Sequence, residues 1–142
     1  MRFFTETTMM GKCFEDCVKF LFDPEYFSIL HTSDNSDPDI TIEYIPTQES
    51  FCIECKFKSQ LYNNTLSWAK SDLIQNYKTF EYENDIPTFI VIGLGNKPCK
   101  PGRIFCIPLK DIKYTKLYLS FLEHYERQPP DKNFVWKNKN LI

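Results

Sequence analysis

The chain of 142 residues carries 17 Lys and Arg against 19 Asp and Glu, with 42% hydrophobic and 16% aromatic residues. That aromatic share excludes a chain disordered throughout, because disordered segments are poor in the residues that bury apolar surface. The longest apolar run, Phe89 to Leu94, falls far short of the ~20 residues that cross a bilayer. The length matches one domain of the usual ~100–200 residues, and the expected unit is 1–142. The N-terminal Met-Arg-Phe-Phe-Thr-Glu-Thr-Thr lacks the apolar stretch of a secretory signal, so the expected setting is cytoplasmic and away from membranes. A reducing compartment keeps thiols free, and all six cysteines (Cys13, Cys17, Cys52, Cys55, Cys99, Cys106) are accordingly expected as thiols rather than disulfides. The net charge of −2 hides an asymmetry: residues 1–96 hold 7 basic against 15 acidic residues, and residues 97–142 hold 10 against 4.

In chain order, Phe14, Val18, Leu21 and Phe22 recur at the i, i+4, i+7, i+8 spacing of a core-facing helix over 11–22, which Asp23-Pro24 ends. A first strand over Tyr26–Leu30 precedes a loop from His31 to Pro38, rich in Asp, Asn and Ser. Ile40–Tyr44 alternates apolar and polar, and Phe51–Phe57 follows a five-residue connection; the two read as a hairpin. Leu66, Ala69, Leu73, Tyr77 and Phe80 predict a second helix over 66–82. The continuously apolar Thr88–Leu94 reads as a central strand covered on both faces. Gly95–Gly102 reads as a loop, Arg103–Ile107 as a strand and Leu117–Tyr125 as a final helix. The tail from Gln128 is polar except for Phe134, Val135 and Trp136, which are placed to fold back on the body. The order of elements predicts an α/β domain with a mixed central sheet flanked by helices.

The segment Phe51–Phe57 carries the chemistry. Side chains alternate along a strand, so Phe51, Ile53, Cys55 and Phe57 share a core face while Cys52, Glu54 and Lys56 share the other. Buried ionised groups are rare unless paired or bound to metal, and Glu54 with Lys56 alone reads equally as an ion pair on a sheet rim. Asp39, at the mouth of the preceding strand, adds a second carboxylate that the hairpin brings toward Glu54. Two converging carboxylates repel and raise a pKa; a hard divalent ion, which takes oxygen ligands, removes that conflict.

Pro38-Asp39 and Glu54-Cys55-Lys56, on these elements, resemble the PD-(D/E)xK nuclease superfamily. The resemblance covers residues 11 to about 108, with a C-terminal helix and basic tail over 109–142. It implies a restriction-endonuclease-like αβββαβ core and hydrolysis of phosphodiester bonds, with DNA as the expected partner and Mg2+ or Mn2+ as cofactor. The metal ligands it implies are the carboxylates of Asp39 and Glu54 and the backbone carbonyl of Cys55, with Lys56 positioning the attacking water. Glu15 on the first helix and Gln75 on the second stand where resolvase-like and RecB-type members carry supporting groups. Relatives of this kind often cut as pairs, which makes a homodimer an expectation as well. The other reading is a catalytically silent module on the same fold that binds nucleic acid or protein.

Other motifs are weaker. Cys52-x-x-Cys55 puts its thiols on opposite faces of a strand, poor geometry for a shared metal. Gly93-Leu-Gly95-Asn-Lys97 lacks the Gly-Lys-Ser/Thr of a phosphate loop and reads as a turn. Trp68 and Lys70 are expected to open the second helix, as a nucleic-acid contact or as a lid on the core.

Overall fold

Helix α1 (Thr5–Phe20) packs through Phe14 and Val18, both fully buried, onto a sheet built from the next strands in the chain. The computed structural model describes residues 5–32 and 38–142. Strands β1 (Phe27–Thr32), β2 (Ile40–Tyr44) and β3 (Glu49–Lys58) form an antiparallel meander. β4 (Thr65–Ser67) and α2 (Ser71–Asn84) then carry the chain across to β5 (Thr88–Leu94), which lies parallel to β3, and β6 (Arg103–Pro108) returns antiparallel to it. The five-stranded sheet has the order β1-β2-β3-β5-β6. β5 is buried at every position, as expected of a central strand between two layers.

The two faces of the sheet hold separate cores. One joins α1 to Ile40, Ile42, Phe51, Ile53, Phe89 and Val91; the other joins Ile74 and Tyr77 of α2 to Ile90, Ile92, Phe105 and Ile107. At Gly93 a Cβ would overlap the Phe14 ring, so the glycine lets α1 approach β5 without a gap. The tail closes the first core. The Phe134 ring stacks on Phe22 and that of Trp136 on Phe51, each pair with centroids 4.5 Å apart. Trp136 also donates its indole N–H to Glu49 Oε1 at 3.0 Å. Val135 between them is half exposed, so the fold-back expected of this segment is made by its two aromatic residues.

The expected α/β order is correct, and its departures have local causes. α1 already covers Thr5 to Met10, ahead of the expected start at Gly11, because nothing in 5–10 breaks a helix. β1 runs on through His31 and Thr32, across a bulge between Ile29 and His31; of the loop expected from His31 to Pro38, residues 33–37 lie outside the described residues. The helix expected from Leu66 starts at Ser71: Leu66 belongs to β4, which pairs with β7 (Lys116–Tyr118), a partner some fifty residues away that helical spacing cannot reveal. β7 also takes the start of the expected final helix, leaving α3 (Leu119–Leu122) and a 3₁₀ turn, Glu123–Tyr125. Trp68 precedes α2 as a buried residue whose indole N–H donates to the Tyr114 carbonyl at 3.0 Å, so it is a core lid, while the exposed Lys70 is the N-cap residue.

The expectation that all six cysteines are free thiols is overturned for one pair. Cys13 of α1 and Cys99 of the β5–β6 loop are joined as a disulfide, with Cα atoms 5.1 Å apart, inside the usual span of such links. Their separation of 86 residues hides the pairing from any spacing argument. Cys17, Cys52, Cys55 and Cys106 remain thiols.

Candidate metal centre

The site arises where β3 outlasts β2. Their pairing ends with Ile40 opposite Ile53, while β3 continues against β5 as far as Lys58. Backbone groups alternate sides along a strand. Cys52 donates its N–H to Pro87 on the β5 side and Lys58 accepts from Gly95 on that same side, so the N–H and C=O of Cys55 face the edge that β2 has vacated. Asp39, just before β2, fills that edge. Its Oδ2 accepts from the Cys55 N–H at 3.1 Å, and its own N–H donates to Glu54 Oε1 at 2.9 Å. The hairpin therefore locks the two acids together through backbone donors on either side.

Glu54 is 4% exposed, on the face of the sheet that carries the α2 core. Lys56, two residues on and on the same face, places Nζ 3.3 Å from Glu54 Oε2. Burial pushes the Asp39 carboxyl up to about 7, and the charge of Glu54 adds to the rise; the Cys55 N–H works against both, and the charge of Glu15 raises it further. Burial likewise pushes the Cys55 thiol well up, with smaller contributions from the charges of Asp39, Glu54 and Glu15. One cation thus serves a partly buried group that gathers more negative charge than Lys56 neutralises. Glu15 reaches this region from α1 with its carboxylate 3.3 Å from Lys19 Nζ, both side chains largely covered.

Two expected site residues come together with Lys56 here, Asp39 and Glu54, and Cys55 supplies the backbone between them. Glu15 contributes charge from the neighbouring helix. Gln75 does not join them: it is exposed on α2, its Nε2 3.5 Å from Thr79 Oγ1. α2 sends Ile74 and Tyr77 inward, and Tyr77, 2% exposed, is the one with a polar group; its hydroxyl is pushed far above its ordinary range by burial first and then by the nearby charge of Glu54. Sequence reasoning placed Tyr77 in the helix's apolar stripe and passed over its hydroxyl. A buried phenol usually finds a polar partner, and that was the available signal.

Among the described residues, no three His, Cys, Asp or Glu side chains cluster so as to hold a metal by themselves. The donor set is instead two carboxylates and a main-chain carbonyl. Oxygen donors with converging negative charge suit a hard divalent ion, which commonly binds through one or two carboxylates. The residues present therefore fit Mg2+ or Mn2+, and such an ion would offset the burial and the Glu54 charge that hold Asp39 up.

No protein-family model matches the chain, and no curated protein does. Among solved structures it is similar to Hjc, a Holliday junction resolvase from the archaeal hyperthermophile Archaeoglobus fulgidus. The TM-score is 0.61 at 16% identity, over 81% of this chain and 88% of that one. At that identity the likeness speaks for the fold, and the fold is the restriction-endonuclease-like one expected from the Pro38-Asp39 and Glu54-Cys55-Lys56 elements.

Proposed function

We infer that the chain is a divalent-metal-dependent nuclease acting on DNA, with Asp39, Glu54 and the Cys55 carbonyl as metal ligands and Lys56 as the cation beside the attacking water. The observation that carries this reading is the meeting of Asp39 and Glu54 at the end of β2, tied by hydrogen bonds of 2.9 and 3.1 Å, with Lys56 on the same face as Glu54. The likeness to a Holliday junction resolvase supports it at the level of fold.

A bound Mg2+ or Mn2+ supplies a nucleophilic water at neutral pH and stabilises charge on the phosphoryl oxygens. The chain's own residues do the rest. Asp39 and Glu54 are fixed by backbone N–H groups that need not reorganise during reaction. Lys56 Nζ holds one Glu54 oxygen and presents a positive charge where a phosphodiester gains negative charge, the kind of preorganised electrostatic contact that removal shows to be worth ~10²–10³ in rate. The Tyr77 hydroxyl steadies Glu54 from the α2 side, and Glu15 with Lys19 forms the α1 wall of the site.

The test is cleavage of plasmid, linear, single-stranded and four-way-junction DNA with Mg2+ or Mn2+. Cutting by the parent chain that is abolished in Asp39→Ala and strongly slowed in Lys56→Ala, with both variants folded by circular dichroism, is the expected result. Metal-dependent cutting that survives in both variants overturns it. The solvent-facing placement of Gln75 favours a second reading, a module that binds without cutting. Metal binding with no cleavage of any substrate would select it.

A further inference from the structure

Past Lys56, β3 delivers a third side chain to the same face. Glu54, Lys56 and Lys58 alternate with core residues, so Lys58 stands about 13 Å along the strand from Glu54 at ~3.3 Å per residue. There it borders a groove of about 240 Å³ lined also by Gln60, Tyr62, Ser67 and Lys116 and by no carboxylate. Among the described residues neither Lys58 nor Lys116 makes an ion pair with an acid, in contrast to Lys12, Lys19, Lys56 and Arg103.

Beside the groove lies a row of aromatic side chains. Asn63 and Asn64, both at positive φ (53° and 59°), form a tight two-residue turn that pairs Tyr62 with Thr65 through reciprocal backbone hydrogen bonds of 3.0 Å. Thr65 pairs on its other side with Tyr118 of β7. Directly opposed residues share a face, so Tyr62, Thr65 and Tyr118 stand side by side, with Lys116 two residues along on the same face. The turn is held further by the Leu119 N–H to the Asn64 carbonyl at 2.9 Å and by Thr65 Oγ1 to the Tyr62 carbonyl at 2.7 Å. Yet Tyr62 is 70% exposed and Tyr118 63%. The backbone is tied by hydrogen bonds on both sides, while the two rings lie open to water beside two lysines that make no ion pair among the described residues.

We propose that this platform binds an unpaired nucleic-acid strand leading to or from the candidate metal centre: Lys58 and Lys116 contact its phosphates, and Tyr62 and Tyr118 stack on its bases. Stacking requires bases freed from a duplex, and aromatic platforms in basic grooves are the usual device for holding single strands. The inference rests on the nuclease reading for its location and refines the substrate to nucleic acid with a single-stranded segment.

The test is binding by the full chain in EDTA, so that it does not depend on cleavage, read by fluorescence anisotropy. The probes are a labelled oligothymidylate, an oligouridylate of equal length and a duplex of that length. The expected result is that at least one single strand binds more tightly than the duplex. Tyr62→Ala with Tyr118→Ala should then weaken that strand on the order of ten-fold or more and leave the duplex unchanged. Lys58→Ala with Lys116→Ala should lower the slope of log K against log salt by about 1.4, at ~0.7 per phosphate contact on a single strand. The two single-stranded probes decide between DNA and RNA. Lys132→Ala, far along the chain in the tail, serves as the charge control. Because both rings are exposed, an unchanged melting temperature checks that the tyrosine variant is folded. Tighter or equal duplex binding, tyrosine variants that bind like the parent, or no binding of either form overturns the proposal. A chain that cuts DNA yet fails this test loses only the platform, and one that passes it yet never cuts loses only the nuclease reading.

Discussion

Two places in this molecule bring acidic side chains to one cation, and they are opposite in character. On the outer strand β6, Arg103 meets Glu126 through Nε and a terminal nitrogen at 2.8 and 2.7 Å, and Glu123 lies 3.5 Å from that terminal nitrogen. The forked guanidinium satisfies the carboxylate, and its hydrogen bonds hold Glu126 below the ordinary glutamate range. Beside β3, Lys56 reaches one oxygen of Glu54 at 3.3 Å and leaves Asp39 raised to about 7. In the first cluster the carboxylate stays partly exposed and takes two short hydrogen bonds from the guanidinium; in the second, burial and a neighbouring carboxylate hold Asp39 up, a cost in stability that a divalent ion would offset. Incomplete electrostatics in a partly buried cluster, rather than the mere presence of charges, marks the candidate site.

That contrast is broken most severely through activity. Asp39→Ala is expected to abolish metal-dependent DNA cleavage, and Lys56→Ala to slow it ~10²–10³-fold. Arg103→Ala should leave the rate within about two-fold, since its cluster is expected to serve the fold alone. A rate loss as large for Arg103→Ala as for Lys56→Ala in the same assay would erase the distinction.

Stability against pH sharpens it. The folded-state pKa of Asp39 lies above its unfolded value of 3.8, so its contribution is fully present below about pH 4 and is lost as pH rises through about 7. Without metal, Asp39→Asn should therefore melt above the parent chain at pH 8 and converge with it near pH 4. Added Mn2+ should raise the melting temperature of the parent and not of the variant. Equal metal-free melting curves at pH 8, measured by differential scanning calorimetry, would contradict the account. Glu126 has the opposite sign. Its folded pKa is lowered, so its contribution is present above its unfolded value and is lost as pH falls through the folded one. Arg103→Ala should cost about 1 kcal/mol or less at pH 7, because the pair is partly exposed, and less still in acid.

The smallest expected effect is that of Tyr77→Phe, which removes only the hydroxyl facing Glu54. It should lower stability by ~0.5–1.5 kcal/mol and slow cleavage a few-fold by loosening Glu54. A variant that matches the parent in both would remove Tyr77 from the site.

Much of this architecture was legible from local pattern. Period-two alternation over Phe51–Phe57 placed Glu54 and Lys56 on one face, and the hairpin brought Asp39 to them, because register in a short antiparallel pair follows from the hydrophobic sides of its strands. The apolar run Thr88–Leu94 marked the central strand, and Phe134 and Trp136 stood out against a polar tail. What escaped was set by distant partners. Leu66 and Leu117 sit at helical spacing from their neighbours, but each finds the other across two short strands. Cys13 and Cys99 meet because β5 passes beneath α1. Gln75 and Tyr77 lie two residues apart on one helix, about 200° around its axis, so only one of them can face the sheet; the apolar ring turned inward and the amide outward. Local periodicity therefore found the strands that hold the acids and turned Tyr77 inward, whereas the expectation for Gln75 came from the resemblance and ran against that stripe.

The central claim is that Asp39 and Glu54 form a divalent-metal site, and titration of the metal-free chain with Mn2+ by calorimetry tests it most directly. The account predicts saturable binding that disappears in Glu54→Gln and persists in Arg103→Ala. Binding that is absent from the parent, or unchanged in Glu54→Gln, would contradict it.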